Sequence, residues 1–166
     1  EHVQKSEYQT IVVVSSEMSG PSLAPDCNQS WVSRFEERLT KDTHLVGSSI
    51  VMMPQEHPLA IVLNKIQSHH GVTPYVPATA FAISRQALDF LATKGFFDQK
   101  IPACSLSLQV FFEMKMSSLL IENGWNISCL LSKYSNVDCR SIQKDPNPTS
   151  WLGDPRKNNC YYSRDV

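Results

Sequence analysis

Three polar residues whose side chains could take part in binding or catalysis follow an apolar run near the start of the chain. Ser15, Ser16 and Glu17 come directly after Thr10–Val14, a segment of β-branched residues. A continuous apolar run of this kind predicts a strand buried on both faces, as in the parallel sheet of an α/β protein. Ligands of open α/β sheets bind just beyond the carboxyl ends of the strands. These residues therefore stand where such a fold places its chemistry or, in the simpler interpretation, in a surface turn.

The segments that must position these residues alternate between strand and helix. Ser30 and Ser84 are suitable helix N-caps, and Gly95 and Gly124 are suitable helix stops. An apolar segment over 59–63 fits either a strand or a short helix. The remaining predicted elements are strands over 10–15, 44–52, 79–83 and 125–131 and helices over 31–40, 85–94 and 106–123. This alternation is typical of a layered α/β domain, so we predict a mixed, mostly parallel sheet flanked by helices.

Length and composition indicate one globular domain. The chain has 166 residues, of which 42% are hydrophobic and 19% charged, which is enough to build a core. We predict a short lead-in over 1–9, an α/β domain over 10–131 and a loop-rich, irregular extension over 132–166. The chain begins without Met or a signal-like segment, which predicts a processed protein, a fragment or a portion of something longer.

The charge pattern argues against two classes of partner. The formal net charge is −1, and Lys and Arg are scattered, whereas nucleic-acid binders carry a basic patch or stripe. No apolar run approaches the roughly 20 residues that a membrane-spanning helix needs. We therefore expect neither a nucleic-acid partner nor a membrane span in this chain.

Cysteines and glycosylation sequons bear on the compartment. Asn28 and Asn126 begin intact sequons, although Asn126 enters a predicted strand, which disfavours glycosylation. Five cysteines are present without a C-x-x-C pair, so a zinc ribbon is not indicated. The loop-rich tail suggests a disulfide between Cys139 and Cys160, the alternative being five thiols that are buried or form no bond. Sequons and an odd cysteine count favour the secretory pathway, the Golgi lumen or the extracellular space.

Taken in order, four blocks of the sequence resemble a known family. The chain is similar to part of a GT-A-type, Rossmann-like glycosyltransferase domain of bacterial and algal polysaccharide-synthesis proteins, related to rhamnan-synthesis proteins. The likeness covers most of residues 10–155. The blocks that carry it, together with Trp151–Pro155 near the end, are Val12–Pro21, Trp31–Ile50, Pro74–Phe97 and Glu113–Leu131.

The resemblance implies transfer of a sugar from a nucleotide-sugar donor to a glycan or polysaccharide acceptor. Glu113 matches the family's Glu and would be the general base that activates the acceptor hydroxyl. Its neighbours Phe112 and Met114 are apolar, and such surroundings raise the pKa of a carboxyl group. The alternative is a Glu on a helix surface that faces solvent beside Lys115.

The resemblance also implies Mn²⁺ or Mg²⁺, held by a D-x-D pair against the diphosphate. At that position this chain has Ser15, Ser16 and Glu17, a single carboxylate with two hydroxyls. Glu17 would hold the metal, or the two serines would bond sugar hydroxyls. In the family the loop carrying Asp138 and Arg140 closes over the site, where an Arg binds diphosphate in a bidentate manner. A local surface pair is the alternative for those two residues.

Two departures from the family favour a second function. Nothing before Tyr8 is long enough to form the βαβ unit that binds the nucleotide, so the resemblance begins in mid-domain. Family members have His where Tyr75 stands and a polar residue where Pro77 stands. The second hypothesis is therefore a non-catalytic, glycosyltransferase-like domain that serves as a binding or structural subunit for protein partners.

Overall fold

The fold combines a four-stranded sheet, a two-stranded sheet and flanking helices. The computed structural model describes residues 8–16, 18, 30–58, 60–61, 73–98 and 109–144. The strands are β1 (Thr10–Val14), β2 (Thr43–Gly47), β3 (Val51–Met53), β4 (Thr73–Tyr75), β5 (Ala80–Ser84) and β6 (Asn126–Cys129). The helices are α1 (Trp31–Glu36), α2 (Arg85–Thr93), a π-helical segment (Gln109–Met114) and α3 (Lys115–Glu122), with single 3₁₀ turns at Phe96–Asp98 and Ser132–Tyr134.

The larger sheet is mixed and mostly antiparallel, which corrects the prediction of a mostly parallel sheet. Its order is β1-β5-β2-β6; β5 runs antiparallel to both neighbours, and only β2 and β6 are parallel. Parallel neighbours need a crossover that returns the chain to the same end of the sheet. Here β5 starts where β2 ends, since the Ser48 N–H donates to the Ala80 carbonyl at 2.8 Å, so β5 runs back along β2.

The apolar run of β1 lies at a sheet edge and is not buried on both faces as predicted. Within the described strands β1 pairs with β5 alone, from Thr10 opposite Ser84 to Val14 opposite Ala80. Val13 and Val14 are 39% and 43% exposed. A β-branched run indicates a strand, but its place in the sheet depends on which other strands arrive beside it.

The predicted strand over 44–52 is divided into β2 and β3, and Gly47 explains why. A Cβ at Gly47 would lie 2.6 Å from Val76 Cγ1 and would also collide with the Ser49 carbonyl. The missing side chain lets the backbone turn at residues 48–50. β3 then pairs with β4 in a second, antiparallel sheet, with Val51 opposite Tyr75.

Local signals for the helix ends are confirmed. The Ser84 hydroxyl accepts the Ala87 N–H at 3.1 Å, and Gly95 follows α2 with φ of +64°. Ser30 caps α1, which is shorter than predicted and ends at Glu36. Gly124, with φ of +84°, follows α3. Residues 106–108 of the predicted long helix lie outside the described part.

Apolar side chains pack on both faces of the larger sheet and make three layers. Phe35 of α1 packs against Val46 and Ala82 on one face. On the other face α2 and α3 cover the sheet, and the main contributors are Leu45, Ile83, Leu91, Leu120 and Ile127. Within the described ranges no helix has the length and apolar character to cross a bilayer.

Candidate functional site at the carboxyl end of β2

Polar residues gather at one end of the larger sheet, which we call the carboxyl end. β1, β2 and β6 finish there, and β5 begins there, since Gly47 lies opposite both Phe81 and Cys129. Ser15 follows β1, and Ser48 and Ser49 follow β2. Open sheets bind their ligands at such an end, so this is the candidate site.

The turn that precedes β5 links the ends of β1 and β2. The Ser15 N–H donates to the Thr79 carbonyl at 2.8 Å. The hydroxyls of Ser48 and Thr79 lie 3.4 Å apart, and both residues are buried. Ser16 is exposed beside them, whereas Glu17 lies outside the described residues. Three neighbouring hydroxyl-bearing residues thus converge on one turn.

Glu113 reaches the same turn from the helical layer. It is 5% exposed, and its Oε1 accepts the Ala78 N–H at 2.9 Å. One turn later the Ser117 hydroxyl accepts the Val76 N–H at 3.0 Å. Side chains four residues apart share a helix face, so this pair holds the backbone of 76–78 against the helix. Glu113 is therefore buried rather than facing solvent. It bonds Ala78, which directly precedes Thr79, the residue whose carbonyl accepts the Ser15 N–H.

Glu113 belongs to a π-helical segment, Gln109–Met114, that continues into α3. π-Helical turns are rare and often mark functional sites. The sequence predicted one uninterrupted helix here, because the wider turn has no composition of its own.

Ser49 is a site residue that the sequence analysis missed. It is 7% exposed, and its Oγ has no hydrogen-bond partner among the described residues. Leaving a buried hydroxyl without a partner costs about 1–3 kcal/mol, and such groups call for an explanation. A glycine followed by two serines was the available signal, but it fell inside a predicted strand.

Asp138 and Arg140 lie at the opposite end of the sheet. Arg140 Nε and Nη2 donate to the two carboxylate oxygens of Asp138, each at 2.8 Å, and Nη1 donates to the Gly124 carbonyl at 3.0 Å. These bonds hold the pKa of Asp138 below its ordinary value. Gly124 precedes β6, so the structure does not bring this pair together with Ser15 and Glu113. The geometry is that of a local surface pair.

Asn126 holds the loop that carries this pair. Its Oδ1 accepts the N–H groups of Ile127 at 3.0 Å and Cys139 at 2.9 Å, and its Nδ2 donates to the Val137 carbonyl at 3.2 Å. The amide nitrogen of the second sequon is thus hydrogen-bonded within the fold. Cys139 is a buried free thiol. Asn28, the other predicted glycosylation site, and Cys160, the predicted disulfide partner of Cys139, lie outside the described residues.

The metal implied by the resemblance can be tested against the donors at the carboxyl end. Mg²⁺ and Mn²⁺ favour sets of carboxylate oxygens. The structure places the Glu113 carboxylate there, and among the described residues no three His, Cys, Asp or Glu side chains cluster to hold a metal ion. The described donors alone do not make up such a set, and Glu17, the predicted ligand, lies outside the ranges with described structure.

Comparison with known proteins found no match to this chain. No protein-family model, no curated protein and no solved structure matches the chain.

Proposed function

We propose that the carboxyl end of the sheet binds a nucleotide sugar and that the domain transfers the sugar to a glycan or polysaccharide acceptor. The observation that supports this proposal is the buried carboxylate of Glu113 beside a group of hydroxyls. Hydroxyl side chains both donate and accept hydrogen bonds, which suits the hydroxyls of a sugar. The sequence resemblance described above points to the same class of reaction.

In this proposal Glu113 is the general base. Its bond to the Ala78 N–H fixes the orientation of the carboxylate, and burial keeps water away from it. A base must lie within hydrogen-bond reach of the hydroxyl it deprotonates, and in this proposal the acceptor binds at Ala78, the exposed residue whose N–H bonds the carboxylate. Ser15 and Ser16 would bond the donor at the end of β1. No step is assigned to a metal ion.

Calorimetry and a turnover assay on the full chain test the proposal. The probes are UDP-glucose, UDP-N-acetylglucosamine, GDP-mannose and GDP-fucose, each with and without Mn²⁺. We expect one of them to bind, and we expect Glu113→Gln to lower turnover roughly 10²–10⁴-fold while sparing donor binding, because the amide keeps the shape but loses the base. Glu36→Gln, an exposed carboxylate on α1, is the matched control.

Two results would contradict the proposal in different ways. If the wild-type protein binds none of the four sugar nucleotides, the transfer reaction is excluded for these donors. If Glu113→Gln turns over at the wild-type rate, the proposal of donor binding is kept, but Glu113 is not the general base.

The second candidate function, a non-catalytic subunit, is favoured by the edge strand β1. Natural edge strands carry charges or bulges that prevent pairing with other chains, whereas Thr10–Val14 has no charged residue and exposes Val13 and Val14. Val13→Lys would then release a co-purifying protein partner, as measured by size-exclusion chromatography with light scattering. An unchanged assembly would remove β1 from the interface.

A further inference from the structure

The hydrogen bonds between β1 and β5 show which backbone groups of β1 are left for another partner. The Arg85 N–H donates to the Gln9 carbonyl, and the Ser15 N–H donates to the Thr79 carbonyl, each at 2.8 Å. Along an antiparallel pair, residues that exchange both hydrogen bonds alternate with residues that exchange none. The odd-numbered residues of β1 therefore bond β5, and the N–H and C=O groups of its even-numbered residues point away from β5.

The even-numbered residues of β1 are Thr10, Val12 and Val14. No hydrogen bond joins their N–H or C=O groups to any residue in the described part of the chain. The strand has no charged side chain, and Val13 and Val14 are 39% and 43% exposed. An edge of this kind is a template on which a further strand can pair.

We propose that the further strand is β1 of a second copy of this chain, paired antiparallel about a two-fold axis at Val12. In this register Val12 lies opposite the partner's Val12, and Thr10 lies opposite the partner's Val14. The groups that point outward from one copy then face those of the other, and each of these pairs exchanges two hydrogen bonds. The two four-stranded sheets become one continuous sheet.

The composition of β1 favours its own strand as the partner. In the same register Ile11 lies opposite the partner's Val13, so β-branched side chains meet along the strand, and such cross-strand pairs stabilise a sheet. Like charges directly opposite each other are destabilising, and self-pairing of Thr10–Val14 brings none together. A two-fold interface requires one self-complementary patch, and dimers of this symmetry are the commonest oligomers.

The pairing names a partner for the second candidate function, on which it rests, and it is independent of the transfer reaction. A five-residue strand makes an interface below the standard size, so the dimer should be weak, with a Kd on the order of 10 µM. Other occupants of the edge, such as an extended segment of a different protein, are outcomes that the experiment separates.

Analytical ultracentrifugation of the purified full chain tests the pairing and its register. We expect the wild type to show a monomer–dimer equilibrium. Val12→Lys and Val12→Glu each place like charges directly opposite each other, so each should be monomeric, whereas an equal mixture of the two should dimerise. A folding defect would not be repaired by mixing. Ile61→Lys, on a 45% exposed apolar residue outside β1, is the matched control and should dimerise as the wild type does.

Val14→Pro separates pairing between copies from folding of each copy. The Val14 N–H points outward, so its loss should weaken the dimer at least about tenfold while the melting temperature of the dilute monomer is retained. Val13→Pro is the comparison, because the Val13 N–H points towards β5 and its loss should lower that melting temperature.

Self-pairing is overturned if the wild type stays monomeric up to about 500 µM, a concentration well above the expected Kd. It is also overturned if Val12→Lys dimerises as the wild type does, if the Lys and Glu variants stay monomeric when mixed, or if Val14→Pro keeps the wild-type affinity. A monomeric wild type from which Val13→Lys releases a different protein would reject self-pairing and keep the second candidate function. A dimer that depends on β1 but binds no sugar nucleotide would reject transfer and keep the pairing.

Discussion

Buried polar groups at the two ends of the larger sheet differ in whether they have hydrogen-bond partners. At the amino end of β2, His44 is buried, with Nδ1 2.8 Å from the Ser84 hydroxyl and Nε2 3.1 Å from the Lys41 carbonyl. Its ring lies 4.2 Å from that of Trp125. At the carboxyl end the Ser49 hydroxyl is equally buried but has no partner in the described structure. Satisfied groups stabilise a fold, whereas an unsatisfied one suggests a ligand.

A serine–histidine pair at the amino end illustrates why contacts must be considered together. Ser84 already caps α2 through the Ala87 N–H, and the ring nitrogens of His44 are both in contact with protein atoms. Every named group there helps to hold α2 and the strand ends in place. We therefore assign this end to stability, and the proposed site lies at the other end.

Asn126→Ala should produce the largest effect among tests of the amino end. The change removes two hydrogen bonds that hold the loop at 137–139 and a third to the Ile127 N–H, so we expect a loss of about 2–3 kcal/mol in the free energy of unfolding. Urea denaturation measures it, with the exposed Asn123→Ala as control. If the loss is matched by Asn123→Ala, or if donor binding by the folded variant changes, the two ends are not divided as described.

Alkaline pH should weaken the fold through two buried thiols of the same core cluster, Cys129 and Cys139. Burial raises the pKa of Cys129 and of Cys139 to about 12, against the ordinary value of 9.0. The unfolded chain releases these protons near pH 9 and the folded chain near pH 12, so stability is full below 9 and falls between the two values. Each thiol contributes about 1.4 kcal/mol per pH unit in that window.

Urea denaturation at pH 8, 9.5 and 10.5 measures this slope. Cys129→Ala should flatten it while lowering stability at pH 8, because a buried side chain is lost. An equally steep decline in that variant would show that other groups cause the alkaline loss.

The smallest effect on stability is expected from a matched pair of serines. Ser84→Ala removes both the helix cap and the hydroxyl that contacts His44 Nδ1, so it should cost about 2 kcal/mol without affecting donor binding. Ser49→Ala removes an unpaired hydroxyl, so the melting temperature should stay the same or rise while donor binding weakens about tenfold. Differential scanning calorimetry and titration calorimetry measure both quantities. A clear loss of stability in Ser49→Ala with unchanged binding would erase the contrast between the two ends.

Part of this fold could be predicted because the signals are local. Ser84 and Gly95 bound α2 through bonds and dihedral angles that involve only nearby residues, and both were recognised in the sequence. The strand at Thr10–Val14 was also recognised, because β-branched side chains favour extended backbone. Its exposed position at the edge of the sheet was not predicted, because a strand's neighbours come from distant parts of the chain.

The candidate site divides in the same way. Ser15 and Glu113 were singled out from residue type and resemblance, and the fold brings both to the turn at 78–79. Ser48, Ser49 and Thr79 were missed, because the break in the predicted strand depends on Val76 packing against Gly47. Asp138 and Arg140 were grouped with the site, yet the loop after β6 returns to the other end, where it bonds Asn126 and Gly124.

Residue order alone determined the local elements: the caps, the stops, the apolar segments and the balance of charge that argues against nucleic acid. Tertiary structure decided the direction of β5, the edge position of β1, the bend after Gly47 and the burial of Glu113. The physical reason is the distance along the chain over which each interaction acts. Capping and backbone preference act over a few residues, whereas pairing and burial are set by segments distant in the chain, as between Ala78 and Glu113.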